Sequence, residues 1–114
     1  MPHIVIEASA PVLKAVAPDH LLKATYEGAV ASELFDSWDI KSRLVPYTHH
    51  HQGKRTLPFI HVTAKILSGR TDEQKKRLSD LILEKLQAFG LKPVSLTVTT
   101  EDIRRETYAK EVLS

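Results

Sequence analysis

The stretch PFIHVTAKILSGRTDEQKKRLSDLILEKLQAFG, residues 58–90, decides the fold. From Phe59 to Leu67 apolar and polar side chains alternate, which is the period of a half-buried strand. Thr71 followed by Gln74 spells a capping box. Leu78, Leu81, Ile82, Leu86 and Phe89 then mark one stripe of an amphipathic helix. Gly90 stands where a left-handed helix cap is expected. Val94 to Thr100 is rich in β-branched residues and predicts the next strand, completing a strand–helix–strand unit.

The same order is legible upstream. His3 to Ser9 predicts a strand with Ile4 and Ile6 on one side and Val5 and Glu7 on the other. Pro11 reads as a breaker. Pro18 and Asp19 open a helix whose stripe is Leu22, Tyr26, Ala29 and Val30, ending near Phe35. Asp36, Ser37 and Asp39 make a short loop, and Ile40 to Tyr47 predicts a second strand with Pro46 at its edge. The polar run from His49 to Thr56 contains Gly53 and reads as a loop. Arg104 to Val112 suggests a turn and a short helix. The two units also open alike, Pro2-His3-Ile4-Val5-Ile6 against Pro58-Phe59-Ile60-His61-Val62. The expectation is one α+β domain over residues 1–114, a two-layer α/β arrangement. It comprises two βαβ repeats of about 1–56 and 57–114, with a four-stranded mixed sheet and two helices on one face. The other sheet face is then open and partly apolar, which implies association with further copies.

Composition narrows the function. The 114 residues carry 16 Lys and Arg against 14 Asp and Glu, a balance without a basic stripe, so no nucleic-acid partner is expected. There is no cysteine, which removes disulfides, thiolate nucleophiles and Cys-ligated zinc. No apolar run of membrane-spanning length and no signal-peptide pattern are present, so no membrane partner and a cytoplasmic location are expected. His49, His50 and His51 are consecutive, whereas zinc ligands are spaced, so they read as a solvated loop and no metal is expected. Lys75-Lys76-Arg77 and Arg104-Arg105 read as solvated faces. His3 and His61 read as structural neighbours on the sheet, and Trp38 and Phe59 as core packing.

Pro2 is the candidate for chemistry. A small second residue permits removal of Met1, which would leave a secondary amine at the head of a strand. Terminal amines titrate near about 7.7–8.0. Apolar surroundings and nearby cations lower that value further, giving a base poised near neutrality.

Several segments together carry a resemblance. Pro2-His3-Ile4-Val5-Ile6-Glu7, Ile40-Lys41-Ser42-Arg43, Phe59 to Ile66, Ser68-Gly69-Arg70 and the ending Glu106-Thr107-Tyr108-Ala109-Lys110 resemble the 5-carboxymethyl-2-hydroxymuconate isomerases. These belong to the tautomerase superfamily, whose base is an amino-terminal proline. The resemblance implies a tautomerase/MIF-like homotrimer with the sheets as its inner wall, and an isomerase that needs no cofactor. It implies a small carboxylic acid substrate, an unsaturated enol or dienol from aromatic-acid catabolism. It assigns Pro2 as catalytic base, and Arg70, Arg43 and Lys41 to substrate binding. Lys41 stands where similar isomerases have an arginine, and a lysine lacks the planar bidentate fork. That difference leaves room for a phenylpyruvate-type enol or a halo-acid as substrate, or for a non-catalytic trimeric binding module.

Overall fold

The computed structural model describes Met1–Ser114. Strand β1 (His3–Ser9) turns Ile4, Ile6 and Ala8 to one face, where each is fully buried. It pairs in parallel with β2 (Lys41–Tyr47) and antiparallel with β3 (Phe59–Leu67); β3 pairs in parallel with β4 (Ser95–Ile103). The sheet order is β2-β1-β3-β4, so the two central strands start the two βαβ units and the edge strands end them. Ile60, Val62, Ala64 and Ile66 extend the buried face of β1 across β3.

Three helices cover that face. Helix α1 (Ala10–Ala15) is short; α2 (Pro18–Ala31) and α3 (Asp72–Gln87) are the main pair. Leu21 and Ala29 of α2 and Leu78, Ile82 and Leu86 of α3 complete the core with the strand residues. Each fully buried Ile or Leu contributes roughly 1.5–3 kcal/mol by leaving water. Gly28 lets the two helices touch: a Cβ there would lie 3.0 Å from the Cα of Ile82. The capping box forms as expected. The Gln74 amide donates to Thr71 Oγ1 at 3.1 Å, and the Thr71 amide donates to Gln74 Oε1 at 2.9 Å.

The structure departs from the sequence pattern at several places. Pro11 does not break the chain but sits in the first turn of α1, where its missing N–H costs nothing. α2 stops at Ala31, before Phe35, because Glu33 takes a left-handed conformation (φ 62°) and turns the chain. β4 runs past Thr100 to Ile103, since Glu101, Asp102 and Ile103 keep pairing with Lys65, Ile66 and Leu67. Trp38 is not a core residue: it is 93% exposed. Its backbone N–H is held by the Asp36 carboxylate in the 3-10 turn Ser37–Asp39, which leaves the indole in solvent. Phe59 packs against Tyr47 and His50 rather than in the main core. Lys76 and Arg77 are exposed, as expected, with Arg77 also donating to the Ala31 carbonyl at 3.1 Å; Lys75 is half-buried instead and pairs with Asp102 at 3.1 Å.

The open face of the sheet carries His3, Glu7, Lys41, Arg43, His61 and Lys65, with Val5 and Val45 between them. It is partly apolar, as the alternation implies, but polar groups predominate. No helix is long and apolar enough to cross a membrane. His50 donates from Nε2 to the Leu57 carbonyl at 2.9 Å, and no group of three or more His, Cys, Asp or Glu side chains is gathered as a metal site.

Candidate active site

Because β1 and β3 run antiparallel, the head of β1 lies beside the tail of β3, with His3 opposite Lys65. Pro2, one residue before His3, therefore lies at the end of the sheet where β3 runs out towards Gly69 and Arg70. A cavity of about 470 Å³ opens at this junction. Its apolar wall is Met1, Leu34, Phe35 and Leu67, and its cations are Arg70, Arg105 and Lys110; Asp36, Asp39 and Tyr108 complete it.

Pro2 itself is buried, and its carbonyl accepts the Lys41 amide at 3.0 Å. The Met1 amine reaches the Asp39 carbonyl at 3.4 Å. Burial pushes the pKa of that amine below its ordinary value, and the charges of Lys41 and Lys110 add to the effect against the opposing pull of Asp39. Lys41 donates from Nζ to the Asp39 carbonyl at 3.0 Å. The Lys110 ammonium bonds the Asp39 carboxylate at 3.3 Å and holds it below the usual carboxylate range.

Arg70 is fixed twice. Its Nη2 donates to the Leu34 carbonyl at 2.8 Å, and its guanidinium lies 5.6 Å from the centre of the Phe35 ring, within cation–π range. Arg105 is fixed by its Nε, which donates to the Ser68 carbonyl at 2.6 Å. Gly69 adopts φ +118°, and a Cβ there would lie 3.7 Å from Arg105 Nε. Neither guanidinium pairs with a carboxylate. Two uncompensated guanidiniums facing one cavity are suited to an anion, because bidentate N–H donation matches carboxylate geometry.

Of the four residues singled out in the sequence, Arg70 lines the cavity; Pro2 is buried and does not, although Met1, the residue before it, does. Lys41 and Arg43 stand on the open sheet face and are not among the lining residues of the single chain. Arg43 Nη1 is instead 3.2 Å from His3 Nδ1, and His3 Nε2 is 3.0 Å from the Tyr108 hydroxyl. Arg105, Tyr108 and Lys110 went unassigned by pattern. Arg105 is exposed, as the solvated reading has it, and it also lines the cavity. The only sequence signal for this tail was its place within the resemblance, since it has no periodicity of its own.

The mixed four-stranded sheet under paired helices, with a cavity at the chain's head, is the tautomerase fold. A 5-carboxymethyl-2-hydroxymuconate delta-isomerase of known structure matches it with TM-score 0.84 at 15% identity, over 98% of this chain and 88% of that one. A fused 4-OT, solved as a wild-type symmetric trimer, matches with TM-score 0.71 at 22% identity, over 90% of this chain and 86% of that one. Within that class, the 5-carboxymethyl-2-hydroxymuconate isomerase family model matches residues 2–110, and the chain belongs to this family. The 2-hydroxymuconate tautomerase of Bacillus subtilis (strain 168) is 38% identical over 50 residues, spanning 43% of this chain and 81% of the relative.

Proposed function

We propose that the protein is a cofactor-independent isomerase that shifts a proton along an unsaturated enol or dienol carboxylic acid, with Pro2 as its base. The observation that carries this reading is that one cavity touches both Met1 and Arg70. Loss of Met1 would bare the Pro2 nitrogen in the wall of that cavity. The burial and the cations that depress the Met1 amine would act on a Pro2 amine one residue further in. That would favour its neutral form, the form in which a general base acts.

The reaction balances without any external oxidant or reductant. Neutral Pro2 takes a proton from the enol hydroxyl or an adjacent carbon, and the electron pair moves along the conjugated chain. The Pro2 ammonium returns the proton at a distant carbon, giving the keto acid. Arg70 holds a carboxylate and stabilises the negative charge as it spreads, because a fixed cation needs no reorganisation when charge develops. The names of the family and of the relatives support a 5-carboxymethyl-2-hydroxymuconate-like acid. A place in aromatic-acid catabolism belongs to the same reading, as does a cytoplasmic homotrimer. Val5 and Val45 on the open face, together with exposed Trp38, support self-association. In such an assembly Lys41 and Arg43 face a neighbouring copy and add to substrate binding there. Lys41 in place of an arginine favours a second reading, in which the same base acts on a phenylpyruvate-type enol or a halo-acid.

Intact mass on purified protein first establishes loss of Met1. On that protein, turnover of 5-carboxymethyl-2-hydroxymuconate and 2-hydroxymuconate is expected, with an acidic limb in kcat/KM below the ordinary amine range of about 7.7–8.0. Pro2→Ala is expected to lower kcat by about 10²–10⁴-fold. Undiminished turnover by Pro2→Ala would remove Pro2 as the base.

A further inference from the structure

His3 joins the open sheet face to the cavity. Arg43 approaches its Nδ1 at 3.2 Å, and the Tyr108 hydroxyl approaches its Nε2 at 3.0 Å. A guanidinium can donate but cannot accept, so Nδ1 must accept. The neutral ring then carries its proton on Nε2, and Nε2–H donates to the Tyr108 oxygen. A phenol oxygen occupied in this way keeps its own hydrogen for another acceptor. Tyr108 hydroxyl has no second protein partner, and Tyr108 lines the cavity that holds Met1 and Arg70. A doubly protonated His3 would set an N–H against the guanidinium. Burial first, then Arg43 and Lys41, lower the pKa of His3 and keep the ring neutral.

We propose that Tyr108 is a catalytic hydrogen-bond donor whose free O–H meets the substrate oxygen that gains charge during proton transfer, and that His3 and Arg43 are positioning residues that fix its direction. The proposal rests on the isomerase reading for the origin of that charge. The Tyr108 proton stays on the phenol throughout; only its hydrogen bond shortens as the oxygen becomes more negative. The ligand class sharpens accordingly. Arg70 takes a carboxylate and Tyr108 an oxo or enol oxygen, so the site discriminates between an oxo acid and the acid lacking that oxygen.

The test uses the full chain freed of Met1, with 2-hydroxymuconate as substrate and 2-oxoadipate and adipate as non-reacting probes. Tyr108→Phe keeps the ring that stacks edge-on against His3 and is expected to lower kcat about 10²-fold with little change in KM. His3→Leu should reproduce most of that loss. His3→Gln keeps an N–H for Tyr108 and an oxygen for Arg43, and should recover much of the activity. By calorimetry, Tyr108→Phe should weaken 2-oxoadipate about tenfold and leave adipate unchanged. Full kcat in Tyr108→Phe, or binding of 2-oxoadipate no tighter than adipate by the unaltered protein, overturns the proposal. If Pro2→Ala retains turnover while Tyr108→Phe loses it, the base assignment fails and Tyr108 stands. If nothing is turned over, the two binding measurements decide the role of Tyr108 alone.

Discussion

The central pair β1 and β3 has two ends, built alike in backbone and unlike in chemistry. At one end Pro2 opens β1 beside the tail of β3, against a cavity of about 470 Å³ that contains Arg70, Arg105 and Lys110. At the other, Pro58 precedes β3 beside the tail of β1, against a cavity of about 200 Å³ lined by Pro11, Val12, Ala15, Leu91, Pro93 and Val94, with Lys92 as its one charged residue. Ser9 Oγ there accepts the Phe59 amide at 2.9 Å, a purely structural bond. The difference arises in the turn that each strand enters. β3 runs on into Gly69, whose φ of +118° favours glycine, and then presents Arg70. β1 runs directly into α1, and Ala10-Pro11 offers no side-chain donor and no charge. Strand pairing alone therefore does not gather cations; a turn that exposes them does.

The contrast between the two ends is most open to failure at its cations. Arg70→Met is expected to lower kcat/KM for a dienol acid about 10–100-fold, the usual worth of a charged hydrogen bond. Lys92→Met, at the opposite end, should leave kcat/KM within about twofold, since surface changes away from a site rarely matter more. Equal losses in the two variants would mean that the ends are not chemically distinct.

Arg70 was singled out through the resemblance, and its place was legible because two local signals bracket it: the alternation of Phe59–Leu67 behind it and the Thr71 capping box ahead. The four strands and the two long helices were legible for the same reason, each being a periodic run with punctuation. Arg105, Tyr108 and Lys110 were not, because their positions depend on distant partners: the Ser68 carbonyl, His3 and Asp39. Trp38 misled because a large aromatic side chain is on average highly buried, whereas the Asp36 cap fixes its backbone and not its ring. α1 was missed because Pro11 reads as a stop when its neighbours have no helical stripe.

A finer contrast is electrostatic. The head of β1 is surrounded by Lys41, Lys110 and Asp39, and their charges move the terminal amine in opposite senses. Burial, the largest cause, and the two cations lower its pKa; Asp39 raises it. A Pro2 amine bared by loss of Met1 would meet the same groups, and if its neutral form is the base, activity should fall as pH drops through its pKa. Removing a cation lets the amine hold its proton to higher pH, so Lys41→Met should move the acidic limb of kcat/KM upward. Asp39→Asn should move it downward. Lys92→Met, remote from the amine, should leave the limb in place. A shift of the same sign in Lys41→Met and Asp39→Asn would show that the amine at this end is not the titrating base.

The smallest contrast lies where the two main helices end. α3 is followed by Gly90 at φ +67°, with open space around the position of a Cβ, whereas α2 is followed by Glu33 at φ +62°. Both exits need the left-handed conformation, but only glycine enters it without steric cost. Gly90→Ala should therefore destabilise the protein by about 1 kcal/mol through the backbone alone. Glu33→Gly should relieve the strain at the α2 exit, offset in part by the greater freedom of glycine in the unfolded chain, for a net gain of about 0.5 kcal/mol. That corresponds to a rise in Tm of roughly 2–4 °C in a domain of this size. A fall in Tm for Glu33→Gly would mean that the Glu33 side chain stabilises the turn leading to Leu34 and Phe35. In that case the first unit retains glutamate there to hold the Leu34 carbonyl against Arg70, a duty the Gly90 turn does not have.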